Sequence, residues 1–220
     1  MRKILKYAVA HTYKPLLVKY LSRTRTYYYR GISLVIPPEV FHPGFFFSTK
    51  LLLDYLSKQP LQSKSFLELG AGSGLIATWA ARKGARVVAT DINPVAVRYL
   101  ESNSQRNCVG YEVILSDLFN QLPVQHFDVV AINPPYYKKK PVSVADYAWC
   151  CGEHGEYFVR LFKDLGRYLH QKSIVFMVLS DQCDLKMIEG IALDNGYSMR
   201  CVRSTRNLLE RNFIFTLDRS

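Results

Sequence analysis

Two short runs of this 220-residue chain hold residue types whose spacing could do chemistry. In the first, Glu68-Leu69-Gly70-Ala71-Gly72-Ser73-Gly74, three glycines alternate with small residues behind an acid. Glycines there let the backbone turn tightly and meet a ligand with no Cβ in the way. In the second, Asn133-Pro134-Pro135-Tyr136, a side-chain amide, two rigid prolines and an aromatic ring follow an apolar run. Asp91-Ile92 and Ser116-Asp117-Leu118 lie between them, each closing its own apolar stretch. Asp91 stands about twenty residues beyond the first glycine, the spacing at which a carboxylate accepts both hydroxyls of a ribose. Asp117 is placed to take an adenine amino group. A glycine turn, a ribose acid and an adenine acid, in that order, point to an adenosine-containing ligand.

NAD and S-adenosylmethionine both fit that description. The turn here is G-x-G-x-G, not the G-x-G-x-x-G that seats a pyrophosphate on a helix N-terminus. S-adenosylmethionine carries no phosphate, and Glu68 would receive its ammonium group. It is therefore the expected cofactor, cradled by Gly70, Ala71, Gly72 and Gly74, with Asp91 and Ile92 at the ribose and Asp117 and Leu118 at the adenine. Asn133 should lie at its reactive end.

At that end the Asn133 side-chain oxygen could accept one N–H of a substrate NH2 group and the Pro134 carbonyl the other, while Tyr136 stacks on the plane that carries the nitrogen. An amide or exocyclic amine is a weak nucleophile because its lone pair is delocalised. Two acceptors that strengthen as positive charge grows on that nitrogen favour the transition state over the ground state. No strong base is needed, and the rest of the rate comes from holding nitrogen, methyl and sulfur in line. Asn133, Pro134 and Tyr136 are thus the expected catalytic residues, with Pro135 and Lys138 completing the substrate contacts. Alone, such a run would be an ordinary Pro-Pro turn; its place after a strand, downstream of matching motifs, argues for the chemical role.

These residues need a frame that brings strand ends together. From Phe66 short apolar stretches alternate with helical ones: SFLELG, ARVVATD, YEVILSD and FDVVAIN as strands, with helices after the first two. A helix over 154 to 169, the strand SIVFMVLS, a helix closing at Asn195-Gly196 and two alternating strands complete the pattern. This predicts an α/β fold: a doubly wound, seven-stranded, mostly parallel, Rossmann-like sheet with an antiparallel C-terminal strand. Ligands in such sheets bind beyond the carboxyl ends of the strands, where all four motifs fall. Upstream, TRTYYYRGISLVIPP reads as a hairpin turning at Arg30-Gly31, and Ser48 or Thr49 as the N-cap of a helix running to about Lys58. The expected organisation is an extension over 1–60 and a cofactor-binding domain over 61–220.

The net charge of +11 is uneven: residues 1–30 hold eight Lys and Arg, six tyrosines and no acid, and the rest of the chain carries +3. Basic residues interleaved with aromatic rings suit phosphates and unstacked bases. Residues 1 to about 26 are therefore expected as an RNA-contacting arm apart from the catalytic core, a solvated arm being the plainer alternative and a transit peptide a third. No apolar run nears the roughly 20 residues that span a bilayer, so a membrane location is not expected. Five cysteines without C-x-x-C spacing support neither a disulfide framework nor a metal site, which suits a cytoplasmic protein. Trp149, Tyr147 and Cys150-Cys151 are expected in a loop that covers the substrate or anchors itself, and His154 at a helix start.

On ELGAGSG, TDIN, SDLF and NPPY the chain resembles the class I S-adenosylmethionine-dependent methyltransferases of the N-P-P-Y group, most closely the HemK-type release-factor glutamine methyltransferases. VIPPEVFHPGFFFSTKLLLDYL is similar to that family's pre-sheet segment and CGEHGEYFVRLF to its glycine-acid stretch. Leu118 stands where the family often has an aromatic residue, and a basic arm takes the place of its helical recognition domain. The resemblance implies methyl transfer to a protein glutamine. An RNA or DNA base, at adenine N6 or guanine N2, is the alternative acceptor, because a flipped base stacks on Tyr136 as an amide plane does. A non-catalytic binding module is the least favoured reading. The expected partner is a release-factor-like protein or an RNA.

Overall fold

The computed structural model describes residues 19–208 and 210–219. The arm expected over residues 1 to about 26 falls largely outside them. Its described part joins the body early: the Tyr20 ring packs 5.4 Å from Phe45, and β1 (Arg25–Tyr29) pairs antiparallel with β2 (Ile32–Ile36). Arg30 and Gly31 both adopt positive φ, 49° and 76°, the pairing a two-residue hairpin turn requires.

Seven further strands form one sheet in the order β5-β4-β3-β6-β7-β9-β8: β3 Ser65–Leu69, β4 Arg86–Asp91, β5 Glu112–Leu115, β6 Phe127–Ile132, β7 Leu169–Ser180, β8 Tyr197–Arg206 and β9 Arg211–Arg219. β3 to β7 run parallel, and β9 runs antiparallel to both β7 and β8. The doubly wound expectation is met. Apolar β9 takes the inner place and β8, with Arg200, Arg203 and Arg206, the edge, where charged side chains discourage pairing with other chains. The order reverses between β3 and β6, so the ends of these neighbours, at Gly70 and Asn133, flank one crevice.

Helices α1 (Phe47–Leu56), α2 (Leu75–Arg82), α3 (Pro94–Arg106), α4 (Glu156–Leu165) and α5 (Leu185–Asp194) cover the sheet. Two of them differ from expectation. α1 starts at Phe46, whose extended backbone forms the N-cap without a side-chain bond, so Ser48 and Thr49 lie buried inside the first turn. The segment 154–169 is shorter as an α-helix, because Gly155 sits at φ 78° before α4 and a tighter turn over Gly166–Tyr168 ends it. Ile32, Leu34 and Ile36 of the hairpin and Leu51, Leu52, Leu53 and Leu56 of α1 share one apolar cluster with the sheet.

The free edge of β2 is satisfied by side chains. Asn103 of α3 and its C-cap Asn107 accept from the N–H groups of Val35 and Ser33 at 2.8 and 3.0 Å and donate to the carbonyls of the same residues. A buried unpaired backbone group costs about 1–3 kcal/mol, so these asparagines act as a surrogate strand. Asn103 also donates to the Ser73 carbonyl, which ties the hairpin to the glycine turn. Among the described residues no helix is long and apolar enough to cross a membrane.

Candidate active site

The carboxyl ends of β3, β4, β5 and β6 open into a single cavity lined by Glu68, Gly70, Ala71, Gly72, Asp91, Ile92, Asp117, Leu118, Asn133, Pro134, Pro135 and Tyr136. The structure thus brings together the expected residues of all four motifs. Gly74 lies just behind the wall, and Lys138 lies outside it, its ammonium 3.0 Å from Asp184 at the N-cap of α5.

The glycine turn is held by its own backbone and by the two acids. Asp91 accepts from the Gly72 N–H at 2.7 Å and the Asn93 N–H at 2.9 Å, one to each carboxylate oxygen, which locks the β3 and β4 ends together. Glu68 accepts from the Ala77 N–H and so satisfies an orphan donor in the first turn of α2, whose N-cap Gly74 has no side chain to do so. A Cβ on Gly74 would come within 2.6 Å of Leu100, whereas one on Gly70, at φ 74°, would meet nothing within 4 Å. Gly70 therefore leaves open the space that faces the ligand, and Gly74 lets α2 close on α3.

Glu68 is buried and Asp91 half-buried, and desolvation holds both carboxyls above the ordinary range; three backbone N–H groups oppose the shift at Asp91. Glu68 is pushed up to about 8 by burial, against the Ala77 bond and with the help of the Asp91 charge. A cation placed beside such a carboxyl favours its ionised form and would bring its pKa back down. An ammonium at Glu68 and ribose hydroxyls at Asp91 fit these donors and acceptors. At Asp117 the side chain already meets Arg160 of α4 at 2.7 Å, leaving one oxygen for another partner. Leu118 lines the cavity at φ 53°, a strained conformation for a non-glycine residue, within a turn pinned by the Ser116 hydroxyl donating to the Leu118 carbonyl.

The Glu68 shift predicts a pH dependence. Between the ordinary value near 4.5 and the folded value of about 8 the native protein binds more protons than the unfolded chain, so this group's contribution is full below that window and is lost as pH rises through about 8. Thermal melts across the window should show wild type losing stability relative to Glu68→Gln as pH rises. Parallel curves for the two proteins would contradict the assignment.

Asn133 follows β6, and its Nδ2 donates to the Thr49 hydroxyl at 3.1 Å, which leaves Oδ1 free. Burial raises the pKa of Tyr136 and Tyr157, both on the cavity wall, so neither phenol serves as a base near neutral pH. The loop over 143–152 is laced to the Asn-Pro-Pro-Tyr turn: the Trp149 carbonyl accepts from the N–H groups of Tyr136 and Tyr137, and Cys151 N–H donates back to the Tyr137 carbonyl. Trp149 lines the cavity, its ring 5.1 Å from Phe41 and 4.8 Å from Phe46, so that loop both anchors itself and walls the site. His154 instead donates its N–H to Glu156 and takes no part in the wall.

Sequence reasoning missed Glu39, Val40, Phe41, Thr49 and Tyr157 as wall residues. The aromatic run after Pro37-Pro38 was the available signal, but where it folds back depends on Asn93 donating to the Glu39 carbonyl, a contact 54 residues apart.

A strand-end cavity of this order and chemistry fits an adenosine-containing cofactor at the carboxyl edge of a Rossmann-like sheet. Residues 32–187 match the model of the methyltransferase small domain family, and the chain belongs to that family. It is an S-adenosylmethionine-dependent methyltransferase. A provisionally named protein N5-glutamine methyltransferase of Methanocaldococcus jannaschii is 36% identical over 156 residues, 68% of this chain and 77% of that protein. A ribosomal protein L11 methyltransferase of Thermotoga maritima is 28% identical over 74% of this chain and 54% of its own length. The E. cuniculi Mtq2-Trm112 complex, responsible for methylation of the eRF1 translation termination factor, shares the fold at a TM-score of 0.64 and 23% identity, over 83% of this chain and 99% of that chain.

Proposed function

We propose that this chain transfers the methyl group of S-adenosylmethionine to the side-chain amide nitrogen of a glutamine in a protein. The observation that carries the reading is Asn133: it lines the cavity at the switch point beside the glycine turn, with Nδ2 donating to Thr49 and Oδ1 left without a hydrogen bond. The similarity to the M. jannaschii protein over 68% of the chain supports an amide acceptor.

S-adenosylmethionine supplies an activated methyl group on a positively charged sulfur. Glu68 would hold its ammonium group, Asp91 its ribose hydroxyls, and Asp117 with Leu118 its adenine. Asn133 Oδ1 and the Pro134 carbonyl accept the two N–H groups of the glutamine amide, fix its plane and stabilise the charge that grows on nitrogen. Tyr136 and the prolines hold that plane by contact, and the cavity walls exclude water. The nitrogen then loses a proton to solvent as the product leaves.

Tritium from the cofactor should enter protein, and acid hydrolysis of that protein should release the label as methylamine, because an N-methylated glutamine amide hydrolyses at its C–N bond to the carbonyl. Label confined to RNA or DNA would overturn the reading.

Transfer to a nucleic-acid base is the second reading. Tyr28 is 72% exposed on the hairpin and the Arg25 guanidinium stacks 4.0 Å over the Tyr20 ring, a basic and aromatic surface. If the arm binds RNA, removal of residues 1–18 weakens binding to a short single strand and flattens its salt dependence, by about 0.7 in logarithmic slope for each phosphate that the arm had neutralised. Cofactor affinity should stay unchanged. Equal slopes for the full and shortened chains would leave the arm as a solvated segment and favour the protein substrate.

A further inference from the structure

We propose that Thr49 is a positioning residue for the transfer: its hydroxyl holds the Asn133 amide in the orientation that turns Oδ1 toward the acceptor nitrogen. The inference rests on the role of Asn133 argued above and adds the residue that makes that role geometrically possible.

The terminal torsion of an asparagine is broad and nearly two-fold, so the backbone alone does not decide whether oxygen or nitrogen faces the substrate. The wrong face would present two N–H donors to an NH2 group that itself donates. At the end of β6 the Asn133 Nδ2 lies 3.1 Å from Thr49 Oγ1. The Thr49 hydroxyl accepts from Nδ2, which is the orientation the free protein holds. Once an NH2 group enters, only one arrangement satisfies every partner: Oδ1 accepts from the substrate and Nδ2 donates to the hydroxyl.

Thr49 is suited to this task by its location. It lies in the first turn of α1, which has no side-chain cap, and it is buried although polar. Burying a hydroxyl without a partner is unfavourable, and the partner here is Asn133. A β-branched side chain in a helix has few χ1 choices, so its oxygen is fixed by α1 and not by a loop. α1 packs against β7, the strand beside β6. The catalytic amide is thereby oriented from a rigid neighbour rather than from its own proline turn.

The first test is spectroscopic and needs no substrate. In protein labelled with nitrogen-15 at asparagine, the Asn133 side-chain NH2 signal, identified by its loss in Asn133→Ala, should carry one hydrogen-bonded proton in wild type and lose that shift in Thr49→Val. An unchanged signal in Thr49→Val would overturn the proposal.

The second test is a double-mutant cycle on the rate of tritium transfer into protein from cells lacking the enzyme. Thr49→Val, nearly the same shape, should lower kcat about tenfold and Thr49→Ser, which keeps the hydroxyl, less than about threefold, as expected for one hydrogen bond. Cofactor Kd should stay unchanged in both. In the Asn133→Ala background Thr49→Val should have no further effect, whereas a merely structural role would give the same loss in both backgrounds. Wild-type turnover in Thr49→Val, or additive losses, would overturn this inference while Asn133→Ala remained impaired. Wild-type turnover in Asn133→Ala would overturn the proposed function and this inference with it.

Discussion

Replacing Asn133 by alanine is expected to lower turnover by about a hundredfold or more, the range for losing a hydrogen-bond acceptor that acts on charge developing in the transition state. Cofactor affinity should change by no more than a few fold, because the Asn133 side chain bonds Thr49 and takes no part in the Gly72–Asp91 bond that holds the glycine turn. Tyr136→Ala should act chiefly on substrate KM, since the ring offers a surface to the amide plane and no group to the reacting nitrogen. Steady-state kinetics with calorimetric cofactor titration checks both. An Asn133→Ala enzyme that kept wild-type turnover would refute the mechanism.

The second large effect is expected at Asp91. Its carboxylate oxygens already accept from the Gly72 and Asn93 N–H groups, and each keeps a lone pair for a ribose hydroxyl. Asp91→Ala would remove the hydroxyl acceptors and also orphan the N–H that holds Gly72 in place. Together these effects should weaken cofactor binding by about 1–3 kcal/mol, or about 5- to 150-fold. Asp91→Asn should lie between the two, keeping one acceptor. Calorimetric titration of the folded variants is the measurement, and an unchanged affinity in Asp91→Ala would remove Asp91 from the ribose site.

The parts of this molecule that were legible in the sequence are those specified by local chemistry. Alternation of short apolar strands with amphipathic helices gave the parallel sheet, because strands buried on both faces need continuous apolar runs. Acids and glycines at strand ends gave the cofactor side, because sheet topology sends every such end to the same crevice. The acceptor side was only half legible. Asn133 and Tyr136 announce themselves by their prolines, but Thr49 read as a helix cap. Its true partner is 84 residues away, and nothing in its neighbours distinguishes a capping hydroxyl from one turned inward. Phe41 was hidden for the same reason, since the ring it meets, Trp149, lies far along the chain. Lys138, next to the substrate turn in sequence, pairs with Asp184 across a distance the sequence does not show.

The central claim concerns where the methyl group goes. Tandem mass spectrometry of protein methylated in vitro, comparing wild type with Asn133→Ala, locates it directly. The account predicts one added methyl on the side-chain amide nitrogen of a glutamine, formed by wild type and reduced about a hundredfold or more by Asn133→Ala. A methyl group found on a nucleic-acid base, on a lysine or α-amino nitrogen, or on glutamine at equal rates with both enzymes would contradict it.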